Sequence, residues 1–369
     1  MRALYASVLC LGMAVRCLAA TSEVSTDSNA DACAGAEIQL RSLSTNLNRN
    51  QFSVAGDRLT LLKAEHPDCS SILLAEARIK ASQGAAEARD LFSRFLKKVP
   101  NDPAGLAYFA RFLIDQGQYQ QADELSDAAV SQDVKDPAAV SQDVKDPAAL
   151  AVRGQLLIMK GQPKQGEELL IKSCELDPDN AESQFQLGVL YDRTKRPGEA
   201  VKHFQKVVDL DPGYASAWDY LALNLEPLGE VDRADAAYRR GLEVNHEGQQ
   251  FDAFLDYNYG RFLAKRNHLA ESKLHLDRAV ELVPDDRDTW YDRAKLNLRM
   301  GNYAQARSDG ERAASLVEQT GGIIDLQVYA VLEQIYRRLG EKELADQYAN
   351  RTRQMPPPTR KGSESTPPQ

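Results

Sequence analysis

The stretch AESQFQLGVLYDRTKRPGEAVKHFQKVVDLDPGY, residues 181–214, decides the fold. With Ala181 as position 1, Leu187 falls at 7, Gly188 at 8, Tyr191 at 11, Ala200 at 20, Phe204 at 24 and Pro212 at 32. Small residues at 8 and 20 let two antiparallel helices approach closely, and large ones at 7, 11 and 24 fill the seam between them. A proline at 32 ends the second helix. The segment therefore reads as one helical hairpin.

The same ruler works outward in both directions. The next 34 residues place Trp218 at 4, Leu221 at 7, Ala222 at 8, Ala234 at 20 and Tyr238 at 24. Upstream, Pro147 opens a unit with Gly154, Leu157, Leu170 and Pro178 in place. Pro103 opens one with Phe109, Ala110, Ala122 and Ala129, and Cys69 one with Ala75, Ala88, Phe92 and Pro100. Downstream, Ala253 leads Tyr259, Gly260, Ala279 and Pro284, and Arg287 leads Trp290, Ala294, Ala306 and Ala313. Fainter units start near Gly35 and near Leu326, the last with Tyr336, Gly340 and Ala345. Glycine recurs near position 15, at Gly117, Gly161, Gly229 and Gly301, where a tight turn between helices needs it.

This pattern, W-x2-L-G-x2-Y followed by A, F and P, resembles that of tetratricopeptide-repeat proteins over residues 35–350. The resemblance implies an all-α, right-handed superhelical solenoid of about nine helix-turn-helix hairpins, with units near 35, 69, 103, 147, 181, 215, 253, 287 and 326. No single hairpin buries its own apolar stripe, so neighbours must stack. One break in the ruler has a simple origin. AAVSQDVKDP at 128–137 recurs identically at 138–147, so residues 137–146 read as a tandem duplication. Extra residues at 249–252 and 321–325 lengthen two other joints, as hinges or as tolerated insertions.

The ends differ from the array. MRALYASVLCLGMAVRCLAA, residues 1–20, has a basic start, a thirteen-residue apolar run and small residues near a cleavage point. That is the plan of a secretory signal peptide, the alternative being an uncleaved interfacial helix. It is too short to span a bilayer, and no other stretch is a spanning candidate. An extracytoplasmic location, periplasmic or secreted, is expected. Residues 21–34 read as a flexible lead, and 351–369, rich in proline, as a disordered tail. Beyond the signal stand Cys33, Cys69 and Cys174. Cys33 and Cys69 are nearly one repeat apart, so a disulfide between them is open, while Cys174 sits at an apolar helical position and reads as packing.

The net charge of −9 falls further without Arg2 and Arg16, leaving 43 basic against 54 acidic side chains. That balance disfavours a nucleic-acid partner. The motifs of metalloproteases, phosphate-binding loops, nucleophile elbows and Cys-x-x-Cys pairs are absent from the sequence. His268 and His275 lie seven apart but straddle an expected hairpin turn. No catalytic residue, cofactor or metal is therefore expected, and the chain reads as a binder and not an enzyme. Acidic pairs in the links, Asp177 with Asp179 and Asp285 with Asp286, are expected to cap the helices that follow.

In the family, positions 2, 5, 9 and 12 of each first helix face a concave groove. The early units offer Leu73, Ala77, Ala104 and Ala107 with Arg111 and Lys80 as isolated charges; the middle ones offer Phe185, Asp192, Asp219 and Glu226. The late ones offer Phe254, Tyr257, Arg261, Tyr291, Lys295, Gln334 and Arg337, with Arg299 flanking. Tyr257 with Arg261 and Tyr291 with Lys295 repeat one arrangement, an aromatic followed by a cation, suited to a protein or peptide carrying carboxylates. The competing reading is a solvated face whose cations pair with Asp256, Asp288 and Asp292. The leading expectation is an exported scaffold or adaptor that binds protein or peptide partners in this groove. The alternatives are a structural or regulatory subunit of an envelope assembly or secretion complex that docks through its convex face or ends, and an accessory unit with cryptic hydrolase or transferase activity. The sequence leaves the oligomeric state open.

Overall fold

The computed structural model describes residues 32–131, 146–245, 251–318 and 322–355. The signal segment, most of the lead, the duplicated insertion up to residue 145, residues 249–250 and 321 in the lengthened joints, and the tail beyond 355 lie outside the described residues. Every regular element among the described residues is helical, and the eighteen helices form nine hairpins. They fall into two compact units, residues 1–183 and 184–369.

The first unit holds four hairpins: α1 (Glu37–Asn48) with α2 (Phe52–Glu65), α3 (Ser70–Ser82) with α4 (Glu87–Lys98), α5 (Pro103–Asp115) with α6 (Tyr119–Ser131), and α7 (Pro147–Met159) with α8 (Pro163–Leu176). The division at 183 falls within α9 (Ala181–Arg193). The second unit continues with α10 (Pro197–Leu210), then α11 (Ala215–Leu225) with α12 (Val231–Val244), α13 (Leu255–Lys265) with α14 (Leu269–Leu282), α15 (Arg287–Met300) with α16 (Tyr303–Ser315), and α17 (Asp325–Leu339) with α18 (Lys342–Gln354).

One backbone device makes all nine hairpins. Each turn has a residue with positive φ: Gly84, Gly117, Gly161, Gly229, Gly301 and Gly340 in six, Asn50, Lys195 and Asn267 in the others. The residue after it donates its N–H to the carbonyl five positions back, as Gln118 does to Leu113 at 2.8 Å and Arg196 to Tyr191 at 2.8 Å. This is the Schellman closure, which satisfies carbonyls that the helix end would leave bare. Glycine enters this region without strain, asparagine at small cost, and lysine at a cost of about 1 kcal/mol.

Helix starts follow local chemistry. Asp102, Asp146 and Asp286 each accept from the backbone N–H three residues on, that of Gly105, Ala149 and Thr289, at 2.6, 2.8 and 2.8 Å. The expected capping role holds for Asp286 but not for Asp177, Asp179 or Asp285. The cap of α9 is Asn180, which accepts from Ser183 at 3.0 Å. Asp177 and Asp179 stand too early in the link to reach the third N–H of α9, and Asp285 pairs with Arg312 at 3.1 Å instead. Capping is decided by a single position.

Small residues set the seams. A Cβ on Gly166 would stand 2.6 Å from the Gly154 carbonyl and 2.5 Å from Ile158 Cγ1, so α7 and α8 meet backbone to backbone. Gly188 lies under the Phe204 ring and Gly260 under Leu276 in the same way. Fully buried alanines, among them Ala110, Ala122, Ala200, Ala222 and Ala234, fill the matching positions elsewhere. Cys33 and Cys69 form a disulfide with Cα atoms 4.9 Å apart, joining the segment before α1 to the residue before α3. Cys174 is free, and burial, aided by Asp177, pushes its thiol up to about 12, which fits a packing role.

Two stability measurements test this account. Lys195→Gly relieves the strained turn and should raise stability by about 1 kcal/mol in urea denaturation. Gly166→Ala should lower it by about 2 kcal/mol, because a carbonyl cannot retreat as a flexible side chain can. Equal midpoints for both variants and the parent would refute this reading of turn and seam.

Candidate partner-binding groove

The residues expected to line the late groove lie on three consecutive first helices of the second unit. Phe254 precedes α13, Tyr257 and Arg261 lie on α13, Tyr291, Lys295 and Arg299 on α15, and Gln334 and Arg337 on α17. Their exposure differs sharply. Phe254 is 45% exposed, whereas Tyr257 and Tyr291 are each only 8% exposed and belong to hydrophobic clusters of the core. The two tyrosine rings therefore serve as floor, and the broad aromatic contact surface expected of them is not offered.

What the floor supports is an acid shared between repeats. Asp292 on α15 accepts the Tyr257 hydroxyl at 3.1 Å, pairs with Arg261 Nε at 3.2 Å and lies 3.6 Å from Lys295 Nζ. The Arg261 guanidinium sits 5.2 Å from the Tyr257 ring centre and the Lys295 ammonium 5.0 Å from that of Tyr291, both in the range of cation–π attraction. Burial, reinforced by Asp292, raises the pKa of both phenols, so they remain neutral donors. Arg299 donates to the Ala264 carbonyl at 2.9 Å and to Asn267 Oδ1 at 3.2 Å, tying α15 to the turn of the hairpin before it. Arg337 pairs along its own helix with Glu333 at 3.0 Å, and Gln334 is exposed.

Of the three acids considered as neighbours, only Asp292 meets the groove cations. Asp256, 1% exposed, pairs with His275 at 2.8 Å and Arg278 at 3.3 Å on α14. Asp288 accepts the Ile323 N–H at 2.8 Å and so anchors the joint before α17. Position 4 of a unit points into its hairpin, which is why Asp256 turns away from the groove.

The middle positions fill in. Phe185 stacks on Tyr214 at 4.9 Å and meets Tyr220 edge-on at 5.6 Å. Glu226 accepts from Tyr238 at 2.8 Å and pairs with Lys265 at 2.9 Å. Asp219 is 3% exposed: Oδ2 accepts from Asn258 at 2.7 Å, while Oδ1 has no hydrogen-bond partner among the described residues. Burial first, then the nearby Asp252 carboxylate, raises its pKa well above the ordinary value. In the first unit Ala77 and Ala107 are fully buried, and Arg111 is no isolated charge, since it pairs with Glu182 and donates to Gln155 at 3.1 Å. Sequence reasoning placed Asp219 on the groove and missed both its burial and its hydrogen-bond partner 39 positions away.

Asp219 makes stability pH-dependent in a definite direction. A carboxyl with a raised folded-state pKa contributes fully below its unfolded value of 3.8, and the contribution is lost as pH rises through the folded pKa. Asp219→Asn does not titrate and keeps the bond to Asn258. Its stability should exceed that of the parent by about 1–2 kcal/mol at pH 7, with the gain fading towards pH 4. A gain independent of pH, measured by denaturation across that range, would contradict the assignment.

Comparison with known proteins agrees with the fold. Residues 80–142, 181–214 and 257–319 each match tetratricopeptide-repeat family models. A TPR repeat-containing protein of Dictyostelium discoideum is 31% identical over 143 residues, 37% of this chain and 53% of that protein. The human protein O-mannosyl-transferase TMTC3 is 28% identical over 145 residues, 39% of this chain but 16% of its own length. The chain thus spans about half of one relative and a small part of the other. Among solved structures, the APC/C hetero-tetramer Cut9-Hcn1 superposes with a TM-score of 0.57 at 15% identity, covering 81% of this chain and 55% of that one. A human IFIT1 dimer gives 0.52 at 16% identity, covering 83% and 68%. At such identities the likeness speaks of fold alone. Periodicity, helical hairpins and family matches coincide: the three matched stretches of this chain are tetratricopeptide repeats.

Proposed function

We propose that the chain is an exported scaffold or adaptor that binds protein or peptide partners on the face formed by α13, α15 and α17. The observation that carries this reading is the shared acid, Asp292, under two cations on a tyrosine floor. Lys295 is 47% exposed and only 3.6 Å from Asp292, and Arg337 is 59% exposed. Their acids, Asp292 and Glu333, are only 18% and 26% exposed, so each cation keeps its partner and still offers its solvent side to a carboxylate from outside. Phe254, just ahead of α13, is the one aromatic of the set exposed enough to be covered by a partner. No helix among the described residues is long and apolar enough to cross a membrane.

Export rests on the character of residues 1–20 and is supported by the Cys33–Cys69 disulfide, a bond that persists in oxidising compartments. The reading is of a binder: the transferase activity named for the human relative belongs to a protein matched over 16% of its length and is not carried over. A second reading, docking through the convex side, is favoured in the second unit by Leu274 on α14, 71% exposed on a second helix.

Replacing Arg261, Lys295 and Arg337 together by alanine separates the two. Groove binding predicts a loss of about tenfold or more in partners recovered by cross-linking and mass spectrometry in the native host, with helicity unchanged. Recovery at the parental level would refute the groove, and its loss on substituting Leu274 would favour the convex side.

A further inference from the structure

The first hairpin does something that stacking of neighbours does not require. Asn48, the last residue of α1, accepts at Oδ1 from Arg78 on α3 at 3.0 Å and from the Tyr108 hydroxyl on α5 at 3.3 Å. Its Nδ2 donates to Asp177 Oδ2, just past α8, at 2.8 Å. One side-chain amide thus touches each of the other three hairpins of its unit. The next residue, Arg49, pairs with Asp179. These contacts span 129 and 130 positions, whereas adjacent repeats lie 34 apart. Beneath them the Arg78 guanidinium lies 3.8 Å over the Tyr108 ring, and burial lowers the pKa of the one and raises that of the other.

The same hairpin is held at its other end by a covalent bond, since Cys33 precedes α1 and Cys69 immediately precedes α3. Its apolar contacts are separate too. Leu43, Leu47, Leu59 and Leu62 pack with Ile72 and Ile79 in a small cluster distinct from the larger one built on Phe92, Phe112 and Leu150. One end is fixed by sulfur, the middle by a small core that reaches Leu47 and Phe52 on either side of the turn, and the turn itself by the polar contacts of Asn48 and Arg49.

We propose that the first hairpin is a clasp, whose turn Asn48–Arg49 closes over the concave side of the N-terminal unit by engaging Asp177 and Asp179. The disulfide keeps the hairpin in place when this turn opens. Arg49 and Asp179 are each 38% exposed, so salt reaches the pair and weakens it. The inference is independent of the groove on α13, α15 and α17, because all of its residues lie in the other unit.

Hydrogen–deuterium exchange of the full chain tests it. Arg49→Glu should raise exchange across α1 and α2 by about tenfold, leave α5 to α8 close to the parent, and respond further when the disulfide is reduced. The exchanged pair Arg49→Glu with Asp179→Arg should regain parental protection, and Asn48→Ala should reproduce the opened state while circular dichroism stays constant. Parental exchange in both Arg49→Glu and Asn48→Ala would overturn the clasp. So would failure of the exchanged pair to recover protection, since the contact would then not be what holds the turn.

Discussion

The bond from the residue after each turn to the carbonyl five positions back is the constraint on which the rest depends. It forces the residue before it into a left-handed conformation, and that conformation reverses the chain sharply enough for two helices to run back along each other. Once the reversal is set, the positions that face each other across the seam are fixed, and they must be small where backbones meet. Gly154 against Gly166 is the extreme case. The turn recurs in all nine hairpins, though its glycine does not: Asn50, Lys195 and Asn267 adopt the same geometry. Geometry is therefore the repeated unit, and residue identity follows where strain makes it matter.

The residues that this device governs were legible in the sequence. Gly117, Gly161, Gly229 and Gly301 mark turns, and Gly188 and Ala200 mark seams, because both roles are decided within one repeat. Failures came wherever a second repeat decided the outcome. Tyr257 and Tyr291 occupy positions that face a groove in the family, yet neighbouring helices cover their rings. Arg111 looked isolated until Glu182 came to it from 71 positions away. Asp177 and Asp179 looked like caps because acids before helices usually are; their partners, Asn48 and Arg49, lie on the first hairpin. Periodicity records what neighbours within a hairpin need and is silent about longer reach.

The buried acids show how differently one residue type can be settled in this fold. Asp309 is wholly buried but receives Arg293, Asn297 and Gln305, so its charge is surrounded by donors. Asp219, nearly as buried, receives only Asn258 and has Asp252 nearby. Asp292, partly exposed, is divided among a tyrosine, an arginine and a lysine from two repeats. An acid enclosed by donors is a structural pin, and one shared near a surface holds cations that still face solvent. The candidate groove is built around the second kind.

The disulfide gives the chain a mechanical polarity. Stacked repeats held by nearest neighbours come apart from their ends, where each terminal hairpin has one interface to lose. At one end Cys33–Cys69 prevents α1 from leaving even when its packing fails, whereas α17 and α18 hold by non-covalent contacts alone among the described residues. When packing around α1 fails, that helix therefore stays tethered to the start of α3, a restraint that α17 and α18 lack among the described residues.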